Sequence, residues 1–359
     1  MNLGRVPYMP QTYSISEPKL DFDDVLLVPQ FTDVTTRSQV NLETTIHGVH
    51  GQKLTGIPII AANMVGVGTF SMGRALKEHN IFTAIQKNIT LKEWFIEADK
   101  RPRSIDHVFV TVGMGNHEIQ KLRSLKESGI FPQMKIVIDV ANGYMNTFYD
   151  FISQVREAIP NSFILAGTVC TPDAANRIIR SGADLARIGI GSGAVCTTRR
   201  VAGTGFPQFS AVQECSQIQL PLGTNKLDVV CDGGCYHPGD FAKAFGAGAK
   251  MVMAGSVFAG HKESEMEVVD GKIRFHGNAA NPCKNPWLLP SDTNYKTAEG
   301  RTVDLPYKGE VKDTVEHILG GIRSACAYSN AKTLDEFHQN AQFIRVNHQL
   351  NTVIAHHTI

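Results

Sequence analysis

The sequence lacks the features that would send it to nucleic acid or to a membrane. Its 35 Lys and Arg residues are offset by 34 Asp and Glu, so the net charge is +1. Without an excess of either sign there is no electrostatic case for a polyanion or an acidic lipid surface as partner. No apolar run is long enough to cross a bilayer, and the opening stretch MNLGRVPYMPQ has no apolar signal core. The seven cysteines cannot all pair with one another. An odd count without a secretory signal points to reduced thiols in a cytoplasmic compartment. Zinc-ligand spacing is also missing. Cys231 and Cys235 have three residues between them, with His237 nearby, and no second pair follows, so we read them as structural. His261, His276 and the terminal His356-His357 likewise lack ligand spacing and read as surface residues.

What remains is an ordinary globular balance, 42% hydrophobic and 19% charged, over 359 residues. After Pro58 a rhythm begins. Apolar runs of strand length occur at Pro58–Met64, Phe82–Lys87, His107–Gly113, Lys135–Asp139, Ser162–Gly167, Leu185–Gly191, Leu227–Asp232 and Lys250–Gly255. Helix-like stretches separate them: Phe70–His79, Leu91–Lys100, His117–Ser128, Thr147–Ala158, Pro172–Ser181, Pro207–Gln217 and Pro238–Gly246. Pro172, Pro207 and Pro238 each suit a first helical turn, where a missing N–H costs little. Eight such units predict an α/β fold, a (β/α)8 TIM barrel with its site at the carboxyl ends of the strands. An open doubly wound sheet is disfavoured, because no GxGxxG follows the first strand. Residues 1–19 read as an N-terminal arm, Asp21–Pro29 as a small strand at one end of the core, and Val311–Ser324 as the last barrel helix. The polar, turn-rich stretch around 256–312 reads as a lid-like insertion over the mouth, and Phe343–Val346 as part of a C-terminal tail. The whole chain, 1–359, is expected to be one barrel domain.

One stretch concentrates the chemistry: Gly189-Ile190-Gly191-Ser192-Gly193-Ala194-Val195-Cys196-Thr197-Thr198. Leu185–Ile190 is apolar except for Arg187, so the loop begins at a strand end. A lone cysteine is usually a small buried hydrophobe. A thiol on a glycine-rich polar loop at a barrel mouth reads instead as a nucleophile. The same end gathers Asn63, Met64, Lys87, Asp139, Asn142, Thr168, Asp232-Gly233-Gly234 and Gly255. Asp23, Asn142 and Asp240 read as caps. Lys87 and Asp232 end apolar strands and read as functional. The loops after strands seven and eight, Asp232-Gly233-Gly234 and Gly255-Ser256, suit a phosphate held by backbone N–H groups.

Seven stretches stand out: Pro58–Met64, Asp139-Val140-Ala141-Asn142-Gly143-Tyr144, the Cys196-Thr197-Thr198 loop, Gly203–Gln208, Asp232-Gly233-Gly234-Cys235, Ala298–Val303 and Ile318–Ser324. Together they resemble the IMP dehydrogenase/GMP reductase family, over about Leu20 to Val346. The likeness is to the reductase branch. No regulatory CBS insertion separates strands two and three, and Tyr295–Gly300 is similar to the reductase segment that carries a catalytic glutamate.

The resemblance implies NADPH-dependent reductive deamination of GMP to IMP and ammonia. Cys196 would attack C2 of the guanine to give a covalent purinyl thioimidate. Thr198 and Glu299 would form a proton relay, and Lys87 would serve as an active-site lysine near amine and cofactor. Asp232 would hold the ribose, and Gly233, Gly234, Gly255, Ser256, Gly193 and Met64 would contact the rest of the nucleotide. Asp139, Thr111 and Gly113 would face NADPH together with Lys87. The resemblance also implies a homotetramer and a monovalent cation such as K+ at Gly191, Gly193 and Cys196. The sequence departs from the family at Ala194, which replaces a phosphate-touching serine, and at Val65, Thr168, Ser256 and Lys296. The family's base-reading segment is not recognisable in Phe275–Lys284. Three other readings stay open: the same chemistry on another purine nucleotide, an IMP dehydrogenase, and a catalytically silent nucleotide-binding regulator.

Overall fold

Eight short apolar runs close into a parallel barrel in this computed structural model, which describes residues 13–49, 51–218, 227–280 and 297–347. The strands are β1 (Ile59–Ala61), β2 (Phe82–Ile85), β3 (Val108–Val112), β4 (Lys135–Asp139), β5 (Phe163–Val169), β6 (Leu185–Ile188), β7 (Val229–Asp232) and β8 (Met251–Ala254). Each pairs with the next in sequence, and β8 closes on β1 through Val252 opposite Ile59. Both faces of every strand are covered, which is why the runs are almost continuously apolar rather than alternating.

The helices that cover them are α1 (Phe70–Lys77), α2 (Leu91–Lys100), α3 (Asn116–Glu127), α4 (Asn146–Ala158), α5 (Pro172–Arg180), α6 (Gln208–Ser216), α7 (Pro238–Gly246) and α8 (Lys312–Tyr328). Local chemistry starts several of them. Thr69 accepts from the Met72 N–H before α1, and Thr90 with Glu93 forms a reciprocal box before α2. Pro172 and Pro238 occupy first turns as expected. Pro207 does not: it is the residue before α6, with extended backbone, and the helix starts at Gln208. Asp240 caps α7, accepting from the Tyr236 and His237 N–H groups. Asn142 instead makes a turn, accepting from the Tyr144 N–H before α4 begins.

The strand faces follow from two contacts. A Cβ on Gly73 of α1 would meet Val108 and Thr83, so those side chains point outward to the helix. Phe82 and Phe109 meet edge to face at 6.0 Å on the other side, inside the barrel. Alternation then puts Thr111 inside as well. Strand β5 runs two residues past its expected end, because its register with β6 slips between Ala166 and Val169.

Outside the barrel, Val25–Leu27 pairs antiparallel with Phe343–Arg345, joining the expected small strand to the expected tail. The insertion carries a three-stranded antiparallel sheet: Val268–Val269, Lys272–His276 and Thr302–Pro306. Its neck is closed where Lys308 N–H meets the Gly260 carbonyl and Lys262 N–H meets the Gly309 carbonyl. His261 belongs to that neck. It is buried, not on the surface as its sequence context suggested, and its Nδ1 lies 3.3 Å from the Gly309 carbonyl. Burial, then the Lys308 charge, holds its pKa below the ordinary value. His276 is half-buried and bonded to Thr302 Oγ1 at 2.8 Å. The expectations on 1–12, on Asn281–Lys296 within the insertion, and on His356-His357 lie outside the described residues.

Candidate active site

The Cys196 loop leaves β6 at Gly189, the only residue type that its position admits. A Cβ there would lie 2.1 Å from the Asp232 carbonyl oxygen, inside any van der Waals contact. The loop therefore runs hard against the end of β7. Ser192 Oγ donates to the same Asp232 carbonyl at 2.8 Å, and Tyr236 Oη donates to the Ser192 carbonyl at 2.7 Å. Gln208, buried at the start of α6, donates from Nε2 to the Ile188 carbonyl at 2.6 Å and to the Asp232 carbonyl at 3.3 Å.

At the loop's tip Cys196 is half-buried. Its N–H closes a turn onto the Gly193 carbonyl at 3.0 Å. The insertion then comes back against it. Thr197 N–H donates to the Glu299 carbonyl at 2.8 Å, and Arg301 N–H donates to the Val195 carbonyl at 2.9 Å, pairing Cys196 antiparallel with Gly300. That pairing aligns three side chains. Cys196 Sγ donates to Thr198 Oγ1 at 3.2 Å, and Thr198 Oγ1 donates to Glu299 Oε2 at 2.7 Å. A thiol, a hydroxyl and a carboxylate form one continuous path for a proton. The Arg301 guanidinium also rests on the Ala194 carbonyl, 2.8 Å from Nη2 and 3.2 Å from Nε.

The predicted binding residues fall into two groups. Gly193 and Gly233 are neighbours, since a Cβ on Gly233 would come within 3.3 Å of the Gly193 nitrogen, and Gly233 itself takes φ +82°. Gly255 lies against Met64, whose Sδ would be 2.7 Å from a Cβ there. These loops are thus drawn to one rim. Ser256 sits beside them, its carbonyl near Lys308 Nζ at 3.5 Å. Asp232 and Asp139 meet through a third residue. Arg187 donates from Nη1 to Asp139 Oδ1 at 2.9 Å and from Nη2 to Asp232 Oδ2 at 2.6 Å. Burial works against the guanidinium's charge, but Asp232 and then Asp139 outweigh it and push its pKa up. Burial likewise pushes the Asp232 carboxyl above the ordinary carboxylate value, against the pull of Arg187.

Thr111 is buried in β3 with no partner for Oγ1 among the described residues. Gly113 N–H is already taken by Glu118 Oε1 at 2.9 Å. Lys87 is exposed beyond β2 and its carbonyl accepts from Lys121 Nζ at 2.9 Å. No hydrogen bond links Lys87, Thr111 or Gly113 to the Cys196 group among the described residues. No cluster of three His, Cys, Asp or Glu is placed to hold a metal ion among them either.

Sequence reasoning passed over Arg187, Gln208, Tyr236 and Arg301. The signal for the first was visible: an arginine in the middle of an apolar strand needs a buried anionic partner.

Comparison with known proteins gives a consistent result. The model of the IMP dehydrogenase / GMP reductase domain matches residues 19–353. Human GMP reductase 1 is 43% identical over 343 residues, covering 94% of this chain and 98% of the relative. The GMP reductase of Caenorhabditis elegans is 43% identical over 343 residues, 94% of each chain. That of Serratia proteamaculans (strain 568) is 43% identical over 344 residues, 94% of this chain and 97% of its own.

Proposed function

The chain belongs to the IMP dehydrogenase/GMP reductase family, and from that premise we propose that it reduces GMP to IMP and ammonia with NADPH. The observation that carries this reading is the Cys196–Thr198–Glu299 path, at 3.2 and 2.7 Å. Attack on the purine needs a thiolate, and loss of the C2 amine needs a proton, because an amide ion does not leave. One path serves both needs. As Cys196 Sγ bonds to C2, its proton passes to Thr198 Oγ1 and that of Thr198 to Glu299. The same carboxyl then returns a proton towards the departing amine, which leaves as ammonia. The base is left attached to Cys196 as a thioimidate; once C2 has gained a hydride, the C–S bond breaks with its electron pair on sulfur, IMP is released, and a proton from water restores the thiol.

NADPH supplies the hydride that C2 receives. The residues present fit such a cofactor: Thr111 Oγ1 is a buried hydroxyl without a partner, and Asp139 commits only Oδ1 to Arg187 among the described residues. Thr111 and Asp139 would hold it, with Lys87 and Gly113 at the same edge. Asp232, which likewise gives Arg187 only Oδ2, accepts from the ribose hydroxyls. Gly193, Gly233, Gly234, Gly255 and Ser256 offer the backbone rim for the phosphate, and Met64 packs beside it. Carbonyl groups of Gly191, Gly193 and Cys196 are ligands of the hardness that K+ prefers. The insertion acts as a lid on a one-domain barrel, and the protein works as a cytoplasmic homotetramer; sedimentation of the purified chain tests the assembly.

The test of the function is to mix the protein with NADPH and GMP and follow cofactor absorbance together with IMP and ammonia. Equimolar formation of both is expected. GMP binding without cofactor oxidation would leave a silent binding module. A second reading, another purine nucleotide as substrate, is favoured by the loop at Ala194. Ala194 has no hydroxyl to offer, and Arg301 instead covers its carbonyl. A panel of GMP, dGMP, guanosine and other 2- or 6-substituted purine nucleotides decides between the two.

A further inference from the structure

Arg187 is the one charged side chain of β6, and it is enclosed on every side. Its side chain is 4% exposed. Strand β5 makes room for it: a Cβ on Gly167 would lie 2.5 Å from the Arg187 Cβ. Its two terminal nitrogens go to two different carboxylates, Asp139 at the end of β4 and Asp232 at the end of β7, while Nε has no partner among the described residues. Bidentate pairing with one carboxylate is the usual use of a buried guanidinium. Splitting it between two strands is a different arrangement, and here the two carboxylates belong to different halves of the site.

We propose that Arg187 is a positioning residue that couples the two half-sites. One buried guanidinium holds the nucleotide-side carboxylate and the cofactor-side carboxylate at once, so a change of charge at either is felt at the other. The inference rests on the reading given above, in which Asp232 serves the ribose and Asp139 the cofactor. The physical basis is competition for a single cation in a dry environment, where charges act over longer distances than in water. Arg187 and Asp139 are the charged groups that act on Asp232. Asp232 and Asp139 are those that act on Arg187. Arg187 favours the ionised form of Asp232, and the Asp139 charge opposes it. Removing the charge of Asp139 therefore leaves Arg187 to Asp232 alone and makes Asp232 easier to ionise.

The test measures GMP affinity without cofactor, as a function of pH, in the wild type and in Asp139→Asn. The variant keeps an oxygen acceptor for Arg187 and alters a residue that GMP itself is not expected to touch. The acid limb of GMP binding should move to lower pH. A shift of half a pH unit makes binding on the acid side about threefold tighter relative to wild type. Titration of the GMP phosphate is common to both proteins and cancels in the ratio. Reciprocally, Asp232→Asn should shift NADP+ affinity measured without nucleotide.

If Asp139→Asn weakens NADP+ binding but leaves the GMP limb unmoved, the coupling is wrong and the site reading stands. If it leaves NADP+ binding unchanged, the cofactor role of Asp139 is wrong, while the GMP limb still decides the coupling. Arg187→Lys guards against a folding defect in the first variant. A lysine keeps the charge but reaches one carboxylate at a time, so either the acid limb of GMP binding moves to higher pH or NADP+ affinity falls. A GMP limb and an NADP+ affinity that both stay at their wild-type values would make Arg187 a purely structural charge and overturn the proposal.

Discussion

The Cys196 loop and the ionic brace under it meet at the same carboxyl end of the barrel, and they are built in opposite ways. The loop is half-buried and held mainly by backbone bonds: Cys196 N–H to Gly193, Thr197 N–H to Glu299, Arg301 N–H to Val195. The brace is buried and held by side chains, with Arg187 between Asp139 and Asp232. The partners differ for a chemical reason. Cys196 is bonded to a hydroxyl, which can donate and accept in turn, so a proton can pass through it. Asp139 and Asp232 are bonded to a guanidinium, which does not give up its proton, so no proton passes through it. A reacting group is given a partner that can change; a binding group is given one that cannot.

The largest break in this comparison is expected from Cys196→Ala. Turnover should vanish while GMP still binds, as isothermal titration would report, because the rim and the brace are untouched. Next comes the far end of the relay. Glu299→Gln keeps the shape but cannot take up a proton, and ammonia release should slow by about 10²–10⁴-fold. NADP+ affinity should stay at the wild-type value. Thr198→Val, which removes the hydroxyl between thiol and carboxylate, should act in the same direction on the same step. Ammonia release at the normal rate in either variant would show that the proton travels by another route.

A smaller effect is expected where the two regions touch. Gly189→Ala drives a methyl group towards the Asp232 carbonyl, and overpacking of this kind costs about 1–3 kcal/mol. Urea denaturation should register that loss. KM for GMP should rise more than kcat falls, since the displaced strand end carries Asp232. The smallest effect belongs to Arg301→Ala. The side chain is exposed, and each of its bonds to the Ala194 carbonyl contributes about 0.5–1.5 kcal/mol at most. A modest fall in kcat/KM is expected, with stability almost unchanged.

The barrel was legible because its strands are buried on both faces and so stand out as apolar runs. The loop was legible for a similar reason: glycines around a cysteine mark a close backbone approach, and the 2.1 Å clearance at Gly189 is that approach. What escaped reading depends on partners far away in sequence. Arg187 was visible as an interruption of β6, but its anions lie 48 and 45 residues away. Glu299 meets Thr198 across 101 residues, and only the resemblance linked them in advance. The insertion's sheet was missed because apolar residues only alternate with polar ones along Lys272–His276 and Thr302–Pro306, so no continuous apolar run marks them. His261 was misplaced because its burial comes from a neck closed by Lys308 and Gly309, which local spacing does not encode.

The central claim is that the thiol–hydroxyl–carboxylate path performs the reductive deamination of GMP. The most direct measurement mixes the purified protein with GMP and NADPH and quantifies all three products in one sample. The account predicts one IMP and one ammonia for each NADPH oxidised, and none of the three from Cys196→Ala. Bound GMP with no oxidation of NADPH by the wild type, or continued turnover by Cys196→Ala, would contradict it.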